Sequence, residues 1–397
     1  MKLVFFTFYF PPDLSAGSFR SIALAKSLSN RLELEDEIHI ITTHPNRYSS
    51  YLVKAKNTEE DGLIKIHRIP VPSHKNGMLS QSYTFLNYAF KAFILCLKIK
   101  PDFIIGTSSR LMTAILTWLS SKLLKKRYFI DLRDIFSESI ADILGKKNKF
   151  FGSLLRFILI LVEKQILKSA LGVNVVSEGF LEYFQNLGLD TSNWLFFPNG
   201  IDKEFQNFAS REIVMKTEDK TILYAGNIGT GQGLDTVIPS ILKKIDSNYK
   251  FQIIGDGGKI AKLKNAIQAQ NIKNIEFISP VGREELLKFY NNADILFLHL
   301  NNIPAYKRVL PSKIFEYGSL GKPIVAGISG YSKQFSKENI SYIFFFDPGD
   351  SDGANEAIIK ASGCKVPLNE VKSFVKKYSR GLIMSEMAKK IIDISSK

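Results

Sequence analysis

The sequence predicts an α/β protein built from two doubly wound halves. Three observations carry that expectation. At 397 residues the chain is too long for one ordinary core and suits two domains of roughly 200 residues each. Short β-like runs alternate with helical patterns throughout, as parallel α/β units require. The same alternation then stops at a turn-forming segment and starts again.

In the first half, Leu3–Phe8, Ile38–Thr42, Ile64–Ile69, Phe103–Gly106, Tyr128–Asp131 and Gly172–Val176 read as strands. Ser18–Asn30, Tyr83–Ile99, Leu111–Leu124 and Leu154–Ala170 read as the helices between them. Phe196–Asp202, FFPNGID, ends the series. Thr221–Tyr224, Phe251–Ile254, Ile275–Phe277, Ile295–Leu298, Ile324–Gly327 and Ile343–Phe346 are the strands of the second half. The boundary falls within residues 198–218, giving domains at 1–205 and 206–375 and a terminal helical piece at 376–397. The last helix reads as one long amphipathic segment, Asn369–Ser395. Two such halves are expected to bind ligands at the carboxyl ends of their strands.

Composition narrows the class. With 45% hydrophobic and 23% charged residues, the chain is that of a globular protein. Cys96 and Cys364 are far apart and imply neither a disulfide framework nor zinc. The run MKLVFFTFYF meets Pro11-Pro12 at once, so it reads as a buried first strand rather than a signal peptide. No apolar stretch approaches the roughly 18 residues that span a bilayer. The net charge of +15 asks for a partner, and on charge alone nucleic acid, anionic lipid and phosphorylated substrates stay open.

Four segments could carry chemistry. After the first strand, Gly17 and Ser18 sit where loop becomes helix, either as a simple turn or as a site for phosphate or sugar oxygens. YAGNIGTGQGLDTVI sets Gly226, Gly229, Gly231 and Gly233 between strand and helix, where backbone can approach an anion. It lacks a G-K-[ST] ending, so it is no Walker loop. In KRVLPSKIFEYGSLGKPIVAG, Pro311 opens a helix and Ser312 can cap it. Lys313 and Glu316 then share one side at i and i+3. They read either as a surface ion pair or as a diphosphate cation with a ribose-binding carboxylate. YFIDLRDIFSESI places Asp131, Arg133, Asp134 and Glu138 after a strand. These read as an Asp–Arg loop brace, or as groups that position acceptor or transferred sugar. His39, His44, His67, His74 and His299 are scattered without ligand spacing, so no metal is expected.

The segments YFPPDLSAGSFR, DLRDIFSESI, VVSEGF, FFPNGID, YAGNIGTGQGLDTVI, IIGDG, YNNADILFL and PSKIFEYGSLGKPIVAG occur in this order across nearly the whole chain. Together they resemble family 4 of the glycosyltransferases, in the branch of bacterial O-antigen and capsule N-acetylaminosugar transferases. The resemblance implies a GT-B fold, two Rossmann-like doubly wound domains facing a central cleft. It implies a nucleotide-diphosphate sugar donor, expected to be UDP-linked, held mainly by the C-terminal half. It further implies retention of anomeric configuration without a protein nucleophile or a cofactor, and a C-terminal helix that crosses back onto the N-terminal domain.

Carried over residue by residue, Glu316 binds the donor ribose and Gly17 faces the diphosphate or transferred sugar. Ser312 and Lys313, beside Pro311, sit at the phosphates, and Val281 and Gly282 present backbone to the base. The chain departs from the family pattern in two places. Asn227 and Gln232 stand where many members carry Arg and Lys. Arg308 stands eight residues before Glu316, where many carry a second Glu. Phosphate neutralisation is therefore expected to shift to Lys307, Arg308 or Lys313, and the sugar's identity is not inherited.

A basic run, Lys91, Lys98, Lys100, Arg110, Lys122, Lys125, Lys126 and Arg127, faces only Asp102 in the same stretch. Lys146, Lys147 and Lys149 then precede an apolar helix. This suits an anionic membrane surface and a polyprenol-linked acceptor at the cytoplasmic face, or else core helices with solvated basic ends. Nucleic acid is not expected, because no nucleic-acid-binding motif accompanies the charge. Two rival readings remain at this point, a sugar-nucleotide epimerase of related fold and a non-catalytic binder of anionic lipid.

Overall fold

A computed structural model describes residues 1–46, 53–72, 78–108, 111–135, 137, 149–206 and 219–396. The chain forms two units, one running up to Asn199 and taking in Gly381–Lys397, the other Gly200–Arg380. The crossings thus fall at 199/200 and 380/381, where the sequence suggests 205/206 and 375/376.

The first unit opens with β1 (Lys2–Phe6), α1 (Ala16–Ser29), β2 (Glu37–Thr43), β3 (Thr58–Asp61) and β4 (Ile64–Ile69). It continues through α2 (Met78–Ile99), β5 (Phe103–Ser108), α3 (Leu111–Leu124) and β6 (Arg127–Leu132). The series closes with α4 (Lys149–Ser169), β7 (Gly172–Val175), α5 (Leu181–Asn186) and β8 (Leu195–Phe196). Its eight strands lie in the order β3-β4-β2-β1-β5-β6-β7-β8. All neighbours are parallel except β3 and β4. The chain steps one way from β1 to β4, then returns beside β1 to lay down β5, so the switch in direction falls between β1 and β5.

Burial on both faces explains why the central strands β1 and β5 read as continuous apolar runs rather than alternating ones. Every residue of β5 is buried, and four of the five in β1. β3 escapes sequence reading because TEED carries no apolar signal. It is held as an edge by backbone pairing with β4 across the Asp61-Gly62 turn, where Gly62 has φ +59°.

The second unit contains α6 (Lys203–Gln206), β9 (Lys220–Ala225), α7 (Leu234–Leu242), β10 (Tyr249–Ile254), α8 (Ile260–Ala269) and β11 (Ile275–Ile278). Then come α9 (Arg283–Asn292), β12 (Ile295–His299), α10 (Ser312–Gly318), β13 (Ile324–Gly327), α11 (Tyr331–Asn339) and β14 (Ile343–Phe346). The helices α12 (Ser351–Ser362), α13 (Leu368–Lys377) and α14 (Arg380–Ser395) complete the chain. The six strands are all parallel in the order β11-β10-β9-β12-β13-β14, which puts this switch between β9 and β12.

The expected single helix Asn369–Ser395 is in fact α13 and α14, broken at Tyr378 and Ser379. The break has a tertiary cause. Ile201 N–H donates to Tyr378 O at 2.7 Å and Arg380 N–H to Ile201 O at 2.9 Å, a one-residue parallel bridge that helical backbone cannot make. Beyond it, α14 belongs to the first unit. Met384, Met387, Ala388 and Ile391 pack with Leu24 and Leu28 of α1 on the face of the sheet formed by Leu3, Phe5, Ile38 and Ile105.

Met387→Ala should therefore cost about 2–5 kcal/mol in urea unfolding followed by circular dichroism. Leu382, on the same helix but 60% exposed, should change stability by no more than about 0.5 kcal/mol when replaced by Ala. Equal effects at the two positions would remove α14 from the core.

Candidate functional site

In the first unit, one buried side chain of α1 braces β6 and the segment that follows β8. Arg20 donates from Nε and Nη2 to the two carboxylate oxygens of Asp131, both at 2.8 Å. Its remaining donors reach the carbonyls of Pro198 at 2.7 Å and Phe197 at 2.9 Å. Asn174 adds a hydrogen bond to Asp131 at 2.7 Å and accepts one from Phe197 N–H at 2.7 Å. Burial alone would raise the Asp131 pKa, but the Arg20 guanidinium beside it, with Arg133 and Asn174, holds it below the ordinary value. Asp131 is thus a brace in the interior, and its partner is Arg20 rather than the adjacent Arg133.

Arg133 lies instead against Gly17, the second residue of α1, where any Cβ would collide with its Nη1. Two residues picked out separately by sequence thus meet at one helix start. Asp134 is half-buried, and its Oδ1 accepts from the N–H of Ile135 at 2.9 Å. Glu138, with His74, Arg110, Lys146 and Lys147, lies outside the described residues.

In the second unit, the glycine-rich turn follows β9 at the switch point. Gly226 has φ +143° and donates to Ile254 O at 2.8 Å. Gly255, at φ +139°, backs directly onto the Gly226 carbonyl, leaving no room for a Cβ. The turn is closed by its own amides. Asn227 Nδ2 donates to Gln232 Oε1 at 2.8 Å, and Gly229 N–H donates to the same oxygen at 3.1 Å. The two residues that replace the family's cations therefore bond each other. Tyr306 fills the space beside Gly231, and Gly233, at φ +59°, leads into α7.

His299, at the end of β12, ties this turn across the switch point. Its Nδ1 faces the Gln232 carbonyl at 2.6 Å and its Nε2 faces Gly349 N–H at 3.0 Å. A carbonyl only accepts and an N–H only donates, so the ring must be neutral with its proton on Nδ1. Burial depresses its pKa in agreement, opposed by the bond to Gln232.

Lys313 reaches the same turn from far along the chain. Its ammonium stands 5.0 Å from the Tyr224 ring centroid, and it occupies the side of Gly226 where a Cβ would lie. Pro311, not Ser312, is the N-cap of α10. Its ring offers no acceptor, and Ser312 is already helical, so the expected serine cap is absent. Glu316 follows one turn along and accepts from Tyr290 Oη at 3.1 Å. Burial raises its pKa, with Arg283 and Lys313 opposing the rise.

Val281 and Gly282 are half-buried immediately before α9, and Gly282 is its N-cap. That helix supplies both Arg283 and Tyr290, which links the 281–282 backbone to Glu316. Arg283 pairs with Asp202 and, at 3.3 Å, with Glu204, and Arg380 holds the other oxygen of Asp202 at 2.7 Å. Arg308 is half-buried after the short turn Pro304–Lys307.

Sequence reading missed Arg20, Asn174, Tyr290, Arg283 and His299 as partners of the site. His39 and His67, read as scattered, meet across β2 and β4 with ring nitrogens 3.0 Å apart. Among the described residues, no group of three or more His, Cys, Asp or Glu is placed to hold a metal.

The His299 geometry has a pH signature. Replacing it by Leu leaves the Gln232 carbonyl and the Gly349 N–H without their partner, expected to cost about 2–4 kcal/mol. In the parent protein the depressed pKa means that the stabilisation is full above the ordinary value of 6.5. It should be lost progressively as pH falls below that value. Unfolding midpoints across pH 5–8 that run parallel for the parent and His299→Leu would show that the ring does not carry this dependence.

Residues 205–378 match the model of the family "Glycosyl transferases group 1". The chain is 26% identical over 317 residues to the putative colanic acid biosynthesis glycosyl transferase WcaI of Escherichia coli K12, covering 75% of this chain and 76% of that protein. Sucrose-phosphate synthase from Thermosynechococcus elongatus superposes with a TM-score of 0.77 at 12% identity, over 100% of this chain and 99% of that one. HepE of Anabaena, solved with UDP and glucose, gives 0.69 at 13% identity over 99% of both chains. The glycine turn, Lys313 and Glu316 all lie within the matched region or its fold. The chain is a glycosyltransferase of GT-B fold, similar to bacterial polysaccharide transferases, and it matches the group 1 family model over residues 205–378.

Proposed function

We propose that the protein transfers a hexose-type sugar, N-acetylated, from a UDP-linked donor to a polyprenol-linked saccharide. The reaction serves surface polysaccharide synthesis of the O-antigen or capsule kind, at the cytoplasmic face of the membrane. One observation carries the donor side. Lys313 and Glu316, one helical turn apart, set a cation against the glycine turn and a desolvated carboxylate beyond it. A diphosphate fits the cation and the turn's backbone, and a ribose diol fits the carboxylate. The HepE structure that shares this fold contains UDP and glucose, and the name of the E. coli relative refers to colanic acid.

Because Asn227 and Gln232 bond each other as neutral amides, Lys313 is the proposed main phosphate cation, assisted by Arg308. Pro311 and Ser312 present backbone to the phosphates, and Val281 and Gly282 present it to the base. Gly17, with Arg133 against it, is proposed to face the transferred sugar, and Asp134 to help position the acceptor. Asp131 acts through Arg20 as a positioning residue. Transfer proceeds with retention. The acceptor oxygen bonds to the anomeric carbon as the bond to the β-phosphate oxygen breaks, and that leaving oxygen takes the acceptor proton. The protein contributes orientation and charge stabilisation, with neither nucleophile nor metal.

Glu316→Ala should weaken UDP binding by about 2–4 kcal/mol, since two hydroxyls lose a charged acceptor. Unchanged affinity by calorimetry would take the ribose away from Glu316. Turnover should also persist in excess EDTA. Loss of product on chelation, restored by magnesium or manganese, would put a metal into the reaction. Mass spectrometry of products from a donor panel with lipid-linked acceptors reads the sugar and the linkage directly.

A further inference from the structure

The first unit concentrates its exposed apolar surface in one place. Of the fourteen large hydrophobic side chains exposed among the described residues, ten stand on α2, α3 and α4. These helices make the crossovers β4 to β5, β5 to β6 and β6 to β7, which all step in the same direction along the sheet. Right-handed crossovers stepping one way put their helices on one face. There α3 packs between α2 and α4.

On α2 the exposed stripe is Tyr83, Leu86, Phe90 and Ile94, and Lys98 continues it. On α4 it is Leu154, Phe157, Ile158 and Leu161, at i, i+3, i+4 and i+7, with Phe157 59% exposed. Leu119 and Leu123 are exposed on α3, which packs against both helices. Scattered exposed apolar residues need no explanation, but three adjoining helices sharing one such face do.

Among the described residues of these three helices, the exposed charges have a single sign. Lys91, Lys98, Lys122, Arg156 and Lys168 are exposed. The one acidic residue in the three helices, Glu163, is 2% exposed and accepts from Ser137 Oγ at 2.6 Å. No helix among the described residues is long and apolar enough to cross a membrane.

We propose that the outer face of α2, α3 and α4 docks on an anionic bilayer surface, its apolar stripes entering the headgroup boundary and its lysines meeting lipid phosphates. The inference rests on the lipid-linked acceptor of the proposed reaction, and gives it a place of encounter. A second copy of the chain fits this face less well. A two-fold contact brings the same patch of each copy together, so two rows of cations would meet with no exposed carboxylate on the described residues of these helices between them. A bilayer with anionic headgroups answers both the apolar stripes and the excess positive charge.

The test uses the full chain and co-sedimentation with vesicles of phosphatidylglycerol and phosphatidylcholine, or of phosphatidylcholine alone. Binding to the anionic vesicles should exceed binding to the neutral ones at least about tenfold, and should weaken steeply towards about 0.5 M salt. The double variant Phe157→Ser, Leu161→Ser should bind at least about tenfold more weakly, through lost apolar burial. The pair Lys122→Gln, Lys168→Gln should lose about fivefold or more per charge. UDP affinity, measured in parallel, should be unchanged in every variant, which also reports that they fold. Parent-like vesicle binding by both double variants would overturn the docking surface. So would a dimer in size-exclusion chromatography that Phe157→Ser, Leu161→Ser dissolves. Vesicle binding as expected, but no UDP affinity in the parent, would leave the docking surface standing and remove the donor assignment instead.

Discussion

Both units depend on one constraint, the reversal of travel across a parallel sheet. At a switch point two adjacent strands send their connections to opposite sides, so their carboxyl ends are not roofed by a crossover. Backbone that leaves the sheet there must turn tightly and still satisfy its hydrogen bonds. The stretch after β9 does this with glycine. Gly226 and Gly255 adopt φ values that side chains resist, and their backbones touch. The tertiary partners are equally specific. His299, from the strand on the far side of the switch, accepts and donates one hydrogen bond each and so fixes the turn's position relative to β12.

The first unit solves the same problem with a buried charge pair. Arg20 and Asp131 are each 1% exposed, and the Nε, Nη1 and Nη2 of Arg20 donate to a carboxylate and two main-chain carbonyls. Such a pair gains little net stability over an apolar replacement, because two ions must be desolvated. Its effect is geometric. It ties α1, β6 and the segment entering residue 199 into one orientation, and α1 carries Gly17. The brace costs no reactive group. Arg133, next to the braced strand, is left to lie against Gly17.

Glu316 shows the opposite balance. Its carboxylate is desolvated enough to raise its pKa, and it accepts a hydrogen bond from Tyr290. A carboxylate held this way is poorly satisfied by the protein alone and strongly improved by a ligand that donates hydroxyl hydrogen bonds. Its neighbours are themselves held in place by contacts. Tyr290 packs on Tyr317 and Phe205, with ring centroids 5.9 and 6.0 Å apart, and Arg283 is locked by Asp202.

The sequence by itself determined the elements whose signal is local. Ile64–Ile69, Ile324–Gly327, Ile343–Phe346 and Leu111–Leu124 coincide with their predicted limits, because burial on one or both faces of a sheet, or a long helical period, writes itself into neighbouring residues. The i, i+3 spacing of Lys313 and Glu316 and the glycine cluster were legible for the same reason. Tertiary structure alone decided the rest. It split the terminal helix through a bridge from Ile201 to Ser379, paired the polar strand Thr58–Asp61 through backbone, and gave Asp131 a partner on α1 instead of its neighbour. It also brought Tyr290 to Glu316, His299 to the glycine turn, and the apolar stripes of three helices onto one face. Those contacts follow from strand order, and strand order leaves no periodicity in the residues that obey it.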